Sequence, residues 1–86
     1  MQIKLLDDNI FEVILDNTFF KVSLGDKYYE SLVKKLSKRL SKKKLIEASF
    51  RFLLDRESKN LIFREFDVKI INNYFPDFES EIGNYL

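Results

Sequence analysis

Residues 4–24, "KLLDDNIFEVILDNTFFKVSL", alternate apolar and polar positions with two interruptions, at Asp7–Asn9 and at Asp16-Asn17. Period two with turn residues at the breaks predicts three antiparallel strands in a meander. Asp16-Asn17, set between branched and aromatic runs, predicts a two-residue type I′ hairpin. If Leu15 faces Thr18, then Glu12 lies opposite Lys21 and Phe11 opposite Val22, and Phe11, Val13, Phe20 and Val22 gather on one face. For the first turn, a three-residue loop (Asp7-Asp8-Asn9) places Lys4 opposite Glu12 and Leu5 opposite Phe11. A two-residue loop would turn the Lys4 charge toward the core. The preferred register makes a Lys4–Glu12–Lys21 stripe on the outer face, beside Ile10, Ile14 and Phe19. Three large apolar residues exceed what a solvated face needs. The expectation is a C-terminal segment that covers them; the functional alternative is a contact surface for a second copy or a protein partner.

Beyond Gly25 the period changes to that of a helix. With Asp26 as N-cap, a helix from Lys27 gathers Tyr28, Tyr29, Leu32, Val33, Leu36 and Leu40 on one arc. Lys27, Glu30, Lys34, Lys35 and Lys38 occupy the other arc. Ser41 caps a second helix running to about Glu57, apolar on nearly all sides except a Glu47–Arg51–Asp55 strip. Such a helix is central, and its work is core packing. "SKNLIFREF" (58–66) predicts a short helix capped by Ser58, and Asp67 caps another that ends near Tyr74. Pro76 opens a last helix as its first residue, with Gly83 near its end. Leu61, Ile62, Phe66, Ile70, Ile71, Tyr74 and Phe75 read as mostly core. The predicted fold is α+β: one domain over 1–86, with a three-stranded antiparallel meander (1–25) followed by about four helices packed on one face (26–86).

The stretch "SFRFLLDRESKNLIFREFDVKIINNYFPDFESEI" (49–82) resembles a small prokaryotic family in which a short β-hairpin precedes an S-F-x-F-L-L-x-R-E helix and a Y-F-P-x-[FY]-E segment. The resemblance implies a hairpin packed with helices. It implies no site residues. Arg56, Glu57, Arg64, Glu65 and Asp67 within that motif are expected to cap and cross-link helices, with a recognition patch for a protein partner as the alternative.

Composition removes several chemistries. There is no Cys and no His, hence no disulfide, no thiolate nucleophile and no imidazole base. The two glycines, Gly25 and Gly83, are isolated, so no phosphate-cradling loop exists. "DFESEIG" fails as a calcium loop, because its glycine falls one place late and no twelfth-position Glu follows. "REFDVKIINNYF" leaves too short a second helix before Pro76 to read a DNA groove. The reading is of a protein that is not an enzyme and needs no cofactor or metal. No apolar run is long enough for a membrane span, and the first residues lack a signal-peptide core, so a cytoplasmic location is expected.

Charge is unevenly spread. "SKRLSKKKL" (37–45) carries five basic residues and no acid. Residues 27–44 hold eight basic residues against Glu30 alone, a local +7 in a chain of net +1, leaving −6 elsewhere. Lys34, Lys35, Lys38, Arg39, Lys42, Lys43 and Lys44 are therefore candidate anion-binding residues. Lys42, Lys43 and Lys44 crowd a helix start, where the dipole disfavours cations. Against that, eleven of the fifteen basic residues are Lys in a chain poor in Ala, Gly and Pro, the signature of a biased composition. The functional expectation is a non-catalytic binding module for a protein partner or for self-association, with no small-molecule substrate. Its alternative is an accessory RNA or DNA phosphate binder acting through 27–44.

Overall fold

The computed structural model describes residues 1–86. Strands β1 (Gln2–Asp7), β2 (Ile10–Leu15) and β3 (Thr18–Ser23) form the meander. Phe11 faces Val22, Glu12 faces Lys21 and Val13 faces Phe20, the pairing that joins opposite charges and collects the apolar side chains on one face. At the second turn Asp16 takes a left-handed φ of 55° while Asn17 does not, so the turn departs from type I′, which requires both.

The first turn is tighter than expected. Lys4 faces Glu12 and Leu5 faces Phe11 as the charge argument requires, but Asp7 faces Ile10, which leaves Asp8-Asn9 as the turn. The register shifts between Leu5 and Asp7, so Leu6 is the extra residue of a bulge. A bulge changes the facing of the strand once, and that is how a two-residue turn coexists with Lys4 on the outer face.

Helix α1 spans Asp26–Leu36 with Gly25, not Asp26, as its N-cap residue. Asp26 sits instead in the first turn, where a carboxylate suits the dipole. The helix stops at Leu36 because Ser37 turns left-handed (φ 52°) and its N–H returns to the Lys34 and Val33 carbonyls. Leu40 thus leaves the helix, and its carbonyl accepts from the Tyr29 hydroxyl. Helix α2 (Lys42–Leu54) is capped by Ser41, whose Oγ accepts the Lys44 N–H at 3.1 Å. It ends three residues short of Glu57. Leu45, Ile46, Ala48, Phe50, Phe52 and Leu53 are buried, and the buried Ser49 hydroxyl satisfies itself by donating to the Leu45 carbonyl at 2.7 Å.

The C-terminal third departs most from its sequence pattern. Of the helix expected over 58–66, only a single 3-10 turn at Lys59–Leu61 forms. The chain then extends, and Glu65–Asp67 adds a fourth strand, β4, parallel to β3, with Lys21 facing Glu65, Val22 facing Phe66 and Ser23 facing Asp67. The cause is the exposed edge of β3, whose backbone groups need partners: the Lys21 N–H donates to the Arg64 carbonyl at 2.7 Å. Asp67 caps the next turn as expected, accepting the Lys69 N–H at 2.9 Å and the Ser23 hydroxyl at 2.7 Å. A 3-10 turn (Val68–Ile70) leads into helix α3 (Ile71–Tyr74). Pro76 and Asp77 form a turn rather than a helix start. Helix α4 begins at Phe78, runs to Glu81 and continues as a 3-10 turn over Ile82–Tyr85, which contains Gly83.

One core lies between the sheet and the helices. Phe20 meets Phe50 edge-on at 5.1 Å, and Phe52 is enclosed by Phe78, Tyr85 and Phe75 at 5.1, 5.8 and 5.9 Å. The helices share one face of the sheet. The expected cover over the other face is absent: β4 extends the sheet sideways, Ile10 and Ile14 stay half-buried, and Phe19 is 55% exposed.

Candidate functional site

Three surfaces are candidates. The first is the lysine run, which divides into paired and free groups. Lys35 donates to Glu79 at 2.6 Å, Arg39 lies 3.2 Å from Glu30, and Lys44 lies 4.0 Å from Glu47. Lys42 is the most engaged, reaching Asp26 at 2.5 Å and the Asn9 side chain at 2.6 Å, with its ammonium over the Tyr29 ring. That explains a cation placed against the helix dipole: it ties the start of α2 to α1 and to the first turn. Lys34, Lys38 and Lys43 are exposed and have no carboxylate within ion-pair distance. Four of the seven candidate cations are thus committed inside the molecule.

Two polar clamps hold the C-terminal segment. Glu79 accepts from the Tyr28 hydroxyl at 2.7 Å and from Lys35, and its N–H reaches the Asn72 side chain at 3.3 Å. The Lys35 hydrogen bond, then that of Tyr28, holds the Glu79 carboxyl below its ordinary value of 4.5. Burial, and then the same carboxylate, pushes the Tyr28 hydroxyl far up, so it remains a donor. A carboxyl depressed in the folded state stabilises the fold above its unfolded value, and that stability is lost as pH falls through the folded one. Glu79→Gln is therefore expected to flatten the acid limb of a melting-temperature profile taken from about pH 7 to about pH 3. An unchanged acid limb would remove Glu79 as its source.

The second clamp is Arg56. Its guanidinium donates to Asp77 at 2.8 Å, the Tyr85 hydroxyl at 3.2 Å and the Phe52 carbonyl at 3.4 Å, and stacks 3.7 Å from the Phe52 ring centre. Tyr85 in turn donates to Asp55 at 2.8 Å. Asp77 holds Arg56 protonated above its ordinary range, and Arg56 depresses Asp77. These roles match the cross-linking expected of Arg56. Arg64 places its guanidinium 5.6 Å from the Phe20 ring centre, and Glu57 makes no ion pair.

The second surface was not legible as one. Leu53, Leu61, Ile62, Phe63, Phe66, Ile70, Ile71, Tyr74 and Phe75 line an open groove of about 210 Å³, with Glu57 as its sole charged member. Leu61 and Tyr74, which the pattern assigns to the core, are 66% and 60% exposed, and Phe63 is 53% exposed and packs edge-on against Tyr74 at 5.6 Å. The signal lay in "LIF" (61–63): three consecutive large apolar residues cannot all face one core. Ile62 takes the core, and its neighbours are left outside. The third surface is the open sheet face with Ile10, Ile14 and Phe19. Ile14 and Phe19 are direct cross-strand neighbours there, while Ile10 shares the face but lies beyond the Glu12–Lys21 pair, opposite Ser23.

No three His, Cys, Asp or Glu side chains converge as a metal site, and no helix is long and apolar enough to cross a membrane. Comparisons with family models, with curated proteins and with solved structures find no match to this chain.

Proposed function

We propose that the protein is a non-catalytic protein-binding module whose docking surface is the groove between the end of α2, β4 and α3. The observation that carries this reading is the nine-residue apolar lining with one unpaired carboxylate, Glu57, among it. A bulky apolar side chain fits such a groove, and a cation beside it complements Glu57, so the occupant is a peptide segment pairing an aromatic or branched residue with Lys or Arg. Desolvated apolar anchors supply affinity, and the carboxylate supplies orientation. Support for the nucleic-acid alternative is narrower, because internal ion pairs occupy Lys35, Arg39, Lys42 and Lys44. Clustered free cations and stacking aromatics are what a phosphate binder uses.

Panning a random peptide library against the immobilised protein tests the reading. Enriched peptides are expected to combine a large apolar residue with a nearby Lys or Arg, and Glu57→Lys is expected to shift the selection toward Asp or Glu. Leu61→Ser with Tyr74→Ser should abolish enrichment while leaving the fold intact, since both side chains are exposed. No enrichment over that double variant overturns the reading. Retention on heparin with a steep loss of binding in salt would favour the phosphate-binding alternative instead.

A further inference from the structure

β4 changes the symmetry of the open sheet face. Without it, the outer charges across the meander read Lys4, Glu12, Lys21; with it they read Lys4, Glu12, Lys21, Glu65, one residue from each strand in direct register. A row of plus, minus, plus reversed on itself sets like charges against like. A row of plus, minus, plus, minus reversed on itself sets every charge against its opposite. None of these four side chains has an ion-pair or hydrogen-bond partner within the molecule, although the clamps and the lysine run are laced with them.

We infer that this face binds a second copy of the chain, face to face, about a two-fold axis that runs along the strands. That axis places β1 of one copy over β4 of the other, so Lys4 meets Glu65 and Glu12 meets Lys21, each twice. The other in-plane axis would place Lys4 over Lys4 and Glu12 over Glu12, so the charges select the first. The flanking row agrees: Ile14 and Phe19 are direct cross-strand neighbours, and the same axis lays Ile14 of each copy on Phe19 of the other. On the far side of the stripe Ile10 lies over Ser23. The one like-charged meeting, Asp7 over Asp67, falls at a corner of the face, at the ends of the two edge strands. Isologous contacts of this kind are the usual route to dimers.

The area sets the strength. Three six-residue strands and the three-residue β4 cover at most about 20 Å by about 15 Å, well short of an obligate interface. The dimer is weak and reversible, with a dissociation constant on the order of 0.1 mM at low salt. Because none of the groove residues belongs to this face, the peptide selection and the dimer stand or fall separately.

Sedimentation equilibrium at protein concentrations up to about 1 mM, at low and at high salt, measures it. Wild type is expected to dimerise and to weaken with salt. Glu12→Lys and Lys21→Glu each create like-charged meetings and are expected to weaken self-association by about tenfold or more. Mixed together, those two variants are expected to associate with each other as wild type does. In the mixed pair the introduced lysine meets the introduced glutamate, and the native Lys21 of one variant meets the native Glu12 of the other. In the unaltered protein, amide shifts on dilution should concentrate at Lys4, Glu12, Ile14, Phe19, Lys21 and Glu65. A strictly monomeric wild type at low salt, single variants that dimerise unchanged, a mixture that stays monomeric, or dilution shifts centred elsewhere would each overturn the inference.

Discussion

Phe50→Ala is expected to lower stability by about 3–5 kcal/mol, comparable with the whole folding free energy of a chain this size. Phe50 is fully buried on the sheet-facing side of α2, with the Phe20 ring 5.1 Å away edge-on and the Phe66 ring 5.9 Å away. Phe20 belongs to the meander and Phe66 to β4, so one side chain joins both parts of the sheet to the central helix. Truncation removes the transfer energy of the ring and leaves a cavity whose walls belong to three separate elements, which limits collapse. Chemical denaturation of the variant should show a midpoint near zero denaturant. A midpoint close to that of wild type would refute the placement of Phe50 at the junction.

Arg56→Ala carries the second-largest expected cost, about 2 kcal/mol. The guanidinium satisfies Asp77, Tyr85 and the last turn of α2 together while its plane covers Phe52. Its removal leaves Asp77 without its partner and uncovers an aromatic ring, so packing and hydrogen bonding are lost at once. Arg56→Lys should recover little, because an ammonium cannot reach separate acceptors through a planar fork while lying flat on a ring. The distinguishing measurement is amide exchange: protection over Phe78–Tyr85 should fall in both variants, with the meander unaffected. Uniform loss of protection across the chain would place Arg56 in the global core rather than in a local clamp.

How far these features could be read from residues alone depended on the distance between the partners. Glu12 with Lys21 and Phe11 with Val22 lie within one hairpin, so charge, burial and turn length all bear on a single choice of register. The bulge at Leu6 escaped because a three-residue loop and a two-residue turn plus bulge give Lys4 the same neighbour. β4 escaped for a different reason. Ile62, Phe66 and Ile70 recur every four residues, a helical spacing, while the edge of β3 that draws Glu65–Asp67 into the sheet lies more than 40 residues earlier. Tertiary demand overrode local period. The lysine run was legible only in part: its composition was plain, but the partners of Lys35 and Lys42, at Glu79, Asp26 and Asn9, are visible only once the chain is folded. The groove was hidden by the assumption that each large apolar side chain seeks the core.

The parallel pairing of β3 with β4 also orders the assembly of the molecule in time. β1, β2 and β3 meet across turns of two residues, so each contact closes a short loop. Ser23 and Asp67 are 44 positions apart, and the chain between them includes both long helices. Loop-closure entropy for that contact must be offset before its three residue pairs contribute anything, and parallel pairing is the less stable kind. On loop length the meander is expected to pair before the fourth strand is added to it. The completed charge row on the open face then belongs to the later step, so a half-folded chain presents only the three-charge row that repels its own copy.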